Sequence, residues 1–322
     1  MIAWFVAAGV LAGILVPHVT DLRRVTPGTA AALWVSALGL RAAVGLFAAI
    51  YFVLYFPATG IFQAVTHWCW HAILPLIAAH LGLNGHRFGD ALTALPAMLL
   101  VVSALSIAYG LVRASRVVRR LVRRDSLGPG PRGSLILPQQ SIVLAAAGLS
   151  RPRVVVSVGA LKVLDDEELA AGLDHEHGHI ARGHRWILLY AEACRALGRF
   201  LPWTRRAVRE LAFHLERDAD LWALARRHDR LALAGAICKA TLHDGSVQPA
   251  ISSLAGQGDV ERRVDDLVGG GPALSASRTR ALRVLATTFA TLALALAVSV
   301  PATVAAGMSS LGASAMPEHC AA

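Results

Sequence analysis

Residues 1–20 contain no charged side chain. A helix rising 1.5 Å per residue covers a hydrocarbon core of about 30 Å in about that length. Three more runs are long and apolar enough to do the same: 34–56, interrupted by Arg41; 91–112, with Pro96 near one end; and 284–308, where Pro301 predicts a kink. Composition agrees, with 55% of residues drawn from AVILMFWYC, 16% charged and a mean hydropathy of +0.54. This is the profile of an integral membrane protein. Too little charge remains for a disordered chain, and four cysteines cannot staple a chain of this length. No basic stretch follows Met1 and no convincing cleavage site ends the first run, so it reads as an anchor rather than a signal peptide.

The net charge of +10 invites a nucleic-acid partner, but the arginines gather beside the apolar runs, where they face anionic lipid headgroups and set topology. Arg113, Arg116, Arg119, Arg120, Arg123 and Arg124 follow the third run, Arg278, Arg280 and Arg283 precede the fourth, and Arg23 and Arg24 lie between the first two. With all three clusters in the cytoplasm, the N-terminus, the loop 57–90 and the tail 309–322 are external. The expected organisation is a membrane block at 1–112, a cytoplasmic domain at 113–283 and a fourth span at 284–308. Residues 61–83 are uncharged and long enough to cross, which would reverse parity. Their three histidines, Pro75, Trp68 and Trp70 favour a segment lying on the outer leaflet. The fold class expected is mainly α, integral membrane, with four transmembrane helices and an inserted, mostly helical domain containing a small sheet.

In the cytoplasmic domain, residues 153–158 form a β-branched run after Pro152 and predict a buried strand. A helix follows, with Asp165 as N-cap and Glu168 three residues on, the pattern of a capping box. It carries His175-Glu176-His177-Gly178-His179, an H-E-x-x-H motif, and ends near Gly183. Residues four apart on a helix share a face, so His175 and His179 can meet one tetrahedral zinc ion. Glu176 can then reach the ion's water as general base without being a ligand. A third ligand is required. Glu216 is the leading candidate, on a later helix where Asp220, one turn on, can accept a hydrogen bond from a zinc-bound histidine. Glu192 and Glu210 are rivals that lack an acid four residues on.

These motifs resemble those of the BlaR/MecR membrane metallopeptidases: a strand ending in Ser157-x-Gly159-x-Leu161, an acidic cap, the H-E-x-G-H-I-x-R-G-H helix at 175–184, and E-x-x-x-D at 216–220. The similarity covers about 90–308. It implies a gluzincin domain inserted before a last transmembrane helix, one zinc per chain held by His175, His179 and Glu216, Glu176 as catalytic base and Asp220 as the residue orienting a histidine. It also implies a cytoplasmic substrate, a transcriptional repressor of the BlaI/MecI type. The stretch around Arg262-Arg263-Val264 looks like the family's closing helix. Two departures stand out. No penicillin-binding sensor domain follows the last span, and His184 stands where many relatives have an acid. A quality-control protease of the HtpX type and a non-catalytic zinc-domain receptor are the alternative functions.

Other residues have plainer readings. His177 points off the metal face, His184 reads as a satisfied helix-end histidine, His214 faces away from Glu216, and Asp218 reads as solvated. Cys69 and Cys320 are the cysteines expected outside. They could form a disulfide, join nearby histidines in a metal site, or do neither.

Overall fold

The structure, a computed structural model, describes residues 1–55, 126–148, 151–242, 257–270 and 276–314, with a few scattered residues between 59 and 116. Most of the expected third span, of the segment 61–83 and of the 113–125 arginine cluster, together with Cys69 and Cys320, lies outside the described residues.

Three helices among the described residues are long and apolar enough to cross a membrane: Ile2–Val19, Pro27–Tyr55 and Ser277–Ser309. The first is α1 (Ile2–Val19), whose N-terminal part exposes Ile2, Trp4 and Phe5. A short turn around Asp21, whose carboxylate accepts from the Arg23 N–H, leads into α2 (Pro27–Ile50). Pro27 sits at the first helical position, where a missing N–H costs nothing. The helix continues as one π-helical turn, Tyr51–Tyr55.

Burial divides α2 in two. Nearly every residue from Thr29 to Ala43 is buried, whereas most of 44–55 is not. The expected span at 34–56 is thus only partly a lipid-facing element; its upstream half belongs to the core of the domain.

The domain begins with a four-stranded sheet in the order β1-β2-β4-β3: β1 (Gly128–Pro129), β2 (Leu135–Leu137), β3 (Leu144–Ala147) and β4 (Arg153–Ser157). β2 runs parallel to β4 and β3 antiparallel, leaving β3 as an edge. The chain then turns into α3 (Val158–Val163), capped by Ser157, whose hydroxyl accepts from the Ala160 N–H and donates to the Ser141 carbonyl. No larger residue fits at Gly159, because a Cβ there would lie 2.0 Å from the Gln140 oxygen.

Helices α4 (Asp166–Ala181), α5 (His184–Leu197), α6 (Thr204–Leu224), α7 (Arg230–Leu242) and α8 (Gln257–Gly269) complete the domain. The expected capping box is present on α4: Asp165 accepts from the Glu168 N–H and Glu168 reaches back to the Asp165 N–H. Gly183, at φ 66°, makes the left-handed turn between α4 and α5.

The long helix α9 (Ala276–Ser314) runs beside α2, with Pro301 inside it. The Ser36 hydroxyl donates to the Ala286 carbonyl, and the Tyr55 hydroxyl to that of Thr303. One apolar core joins Leu33, Trp34 and Leu38 of α2, Ala191 and Cys194 of α5, Val208 and Leu211 of α6, and Phe289 of α9. A second lies between the sheet and α4, around Val154, Val156 and Leu173.

Candidate metal centre

The site forms where α4 crosses α6. Leu173 of α4 packs under the sheet and Leu211, Leu215 and Ala219 of α6 pack inward, which turns the polar stripe of each helix towards the other. His175, His179 and Glu216 meet there, with one ligand atom from each within 4.8 Å of the others.

The two histidine Nε2 atoms are 3.2 Å apart, His175 Nε2 is 3.3 Å from Glu216 Oε2, and His179 Nε2 is 3.5 Å from Glu216 Oε1. Ligands about 2.0–2.1 Å from one tetrahedral zinc ion stand about 3.3–3.4 Å from each other. The two Glu216 spacings run to different oxygens, so they do not trace one tetrahedron, but the cluster is compact enough for one ion to reach all three side chains, and the donor set is of the nitrogen and oxygen type that zinc accepts. The rivals are engaged elsewhere: Glu192 with Arg195, and Glu210 with Arg262.

Each histidine is oriented from behind. His175 Nδ1 lies 2.9 Å from Asp220 Oδ1. His179 Nδ1 lies 2.9 Å from His184 Nδ1, and His184 Nε2 lies 3.2 Å from Asp218 Oδ2. If the lone pair of His179 Nε2 faces the metal, its proton is on Nδ1 and donates to His184, whose own proton on Nε2 then donates to Asp218. Burial holds the His184 pKa below its ordinary value, against the pull of Asp218, and so favours the neutral ring that this chain of bonds needs. The Asp218 carboxyl is held low, first by its bond to His184. His184 is the satisfied helix-end histidine its sequence context implies, buried with a partner on each ring nitrogen, whereas Asp218 is not solvated: it is mostly buried and also pairs with Arg182.

Arg263 of α8 completes the back wall. Its Nε and Nη2 donate to the two oxygens of Asp220 at 3.0 and 2.7 Å, and its Nη1 lies 2.9 Å from Glu216 Oε2. The sequence marked the helix but not the role of this arginine. The only signal was an arginine pair on an amphipathic helix.

The electrostatics favour a cation at the cluster. Burial opposes charge on His175, yet the carboxylates of Asp220 and Glu216, 2.9 and 3.3 Å from its ring nitrogens, outweigh it and push its pKa up to about 10. Glu216 stays well below the carboxylate range despite burial, because His179 and Arg263 favour its charge. Glu176 lies to one side, its Oε2 accepting from the Ala146 N–H of edge strand β3 at 2.7 Å. Burial is the largest cause raising its pKa, opposed by the two histidines. His177 points away and bonds the Leu173 carbonyl. His214 is buried beneath α8 beside Arg217, and burial pushes its pKa down to about 3.

Among known families, the model of peptidase family M48 matches residues 113–224. No curated protein and no solved structure matches the chain. The matched stretch is about a third of the chain. It includes the sheet, α4 and α6, and with them His175, Glu176, His179, Glu216 and Asp220, so the match supports metallopeptidase chemistry of the M48 kind at this cluster.

Proposed function

We propose that the protein is a membrane-anchored zinc metalloendopeptidase. The observation that carries this is the cluster itself: one ligand atom from each of three side chains within 4.8 Å of the others, with a non-ligating glutamate from the same H-E-x-x-H turn beside them. His175, His179 and Glu216 hold the ion, and Asp220 and the His184–Asp218 pair fix the two imidazole rings. A zinc ion held there supplies Lewis acidity, both towards water and towards a substrate carbonyl.

Glu176 is the proton acceptor. Its raised pKa brings it closer to that of the proton it must take and later return to the leaving amine. The Ala146 N–H steadies it, and the same strand is the open edge of the sheet, where an extended peptide can pair and lie across the cluster.

By the BlaR/MecR resemblance, the substrate is a cytoplasmic regulatory protein, a repressor of the BlaI/MecI type, and the chain acts in signal transduction. A second reading is quality control of membrane proteins by an HtpX-type protease, which the M48 match fits equally well. New protein N-termini compared between cells with wild-type protein and cells with Glu176→Gln test both. One short cytoplasmic regulator cut only in the wild type supports the first, many membrane proteins support the second, and identical N-terminal profiles contradict proteolysis.

A further inference from the structure

The corner between α5 and α6, residues 198–203, exposes two large aromatic rings: Phe200 is 73% and Trp203 58% accessible. Trp203 holds a left-handed backbone, φ 63°, which is uncommon for a bulky residue. The corner itself is firmly built, since the Thr204 hydroxyl donates to the carbonyls of Gly198 and Leu201. Four exposed arginines lie at or next to the corner: Arg199, whose guanidinium lies 6.0 Å from the Phe200 ring, and Arg205, Arg206 and Arg209 on the first turns of α6.

The position of the corner along the spans identifies what covers it. A Cβ on Gly198 would lie 3.1 Å from Arg41 Cβ, and one on Gly45 would lie 2.2 Å from the Leu197 oxygen. Trp203 also meets His18, near the end of α1, at 5.7 Å between rings. Residues 41–45 are where α2 passes from fully buried, against α5 and α6 as well as the apolar helices, to half-buried or exposed, with α9 beside it. The corner is therefore level with the surface of the bilayer. Aromatic rings and arginines at that depth have a common physical use: amphipathic rings settle among headgroups and guanidinium groups pair with phosphates.

We propose that the α5–α6 corner is a second membrane contact, in which Phe200 and Trp203 enter the leaflet on the domain's side and Arg205, Arg206 and Arg209 bind the phosphates of anionic lipid. It holds whether or not the site hydrolyses peptides. Because α6 runs from this corner to the metal cluster, the contact also fixes the site's height. Glu216 is twelve residues beyond Thr204, about 18 Å along the helix.

The test uses the full chain in lipid nanodiscs, with p-benzoylphenylalanine in place of Phe200 or, as a comparison, of Leu221. Leu221, 50% accessible, lies on α6 at the end far from the corner. After irradiation, lipid adducts are read by mass spectrometry. The expected result is an adduct at position 200 and none at 221, with a severalfold higher yield in phosphatidylglycerol than in phosphatidylcholine discs. Arg205→Gln/Arg206→Gln/Arg209→Gln should abolish that difference. Equal yields at 200 and 221, no dependence on the anionic lipid, or a cross-link from 200 to protein instead of lipid overturns the proposal.

Discussion

His184 tests how finely the metal centre is organised. It touches no reacting group, yet it stands between His179 and Asp218, so its removal frees one ring of the cluster. Loss of such an orienting partner weakens metal binding by about 10–100-fold. His184→Ala should therefore lower zinc affinity in a chelator competition by about that factor, whereas His177→Ala, on the opposite side of α4, should leave it unchanged. Equal affinity in wild type and His184→Ala would show that His179 needs no support. At this scale the sequence was informative where spacing alone determines geometry. Four residues on a helix bring His175 to His179, and four more on another bring Asp220 under Glu216. It was uninformative where a partner comes from elsewhere in the fold. Asp218 has to cross from α6 to α5 to reach His184, and Arg263 comes from α8; neither contact has a local pattern.

Helix α4 was legible at its start, because a cap is a local interaction: the Asp165–Glu168 box could be read directly from two residues three positions apart, whereas α5 and α6 start without a side-chain cap. The sheet was legible only in β4, where Val154, Val155 and Val156 announce a buried strand. β3 is Leu-Ala-Ala-Ala, a sequence with no strand preference, held in place by its pairing with β4. The turn from β4 into α3 depends on two small residues. Gly159→Ala should destabilise the protein by about 1–3 kcal/mol, since the methyl group would displace the Gln140 backbone. Asp165→Ala removes one exposed-end cap and should cost about 1 kcal/mol. Thermal unfolding of the detergent-solubilised chain should rank them in that order; the reverse order contradicts the close approach at Gly159.

For the molecule as a whole, the unexpected feature is α2. Hydropathy identifies it as a span, but a run of apolar residues has the same composition whether it faces lipid or the core of a domain, so the sequence could not show that its upstream half packs on α5 and α6. The turn before it is also tied to the domain. Arg23 pairs with Asp266 of α8 at 3.1 Å, and Arg217 of α6 both pairs with Asp266 and donates to the Arg23 carbonyl. The α8 segment carrying Asp266 also carries Arg263, which grips Glu216, so the α1–α2 turn and the metal site share one rigid wall. Orientation follows from the arginine clusters: a reporter fused after residue 125 should behave as cytoplasmic and one at the C-terminus as external. The opposite pair inverts the topology, and both inside would make residues 61–83 a further span.

The central claim is that one zinc ion and Glu176 together hydrolyse a peptide bond at this cluster. The most direct measurement is zinc content and peptide hydrolysis, determined on the same preparations of the full chain in lipid, for wild type and Glu176→Gln. The account predicts one zinc per chain in both, with hydrolysis slowed by about 10²–10⁴ in the variant, because the substitution removes the proton acceptor and leaves every ligand. Hydrolysis at the wild-type rate by Glu176→Gln, or a wild type that binds no zinc, would contradict it.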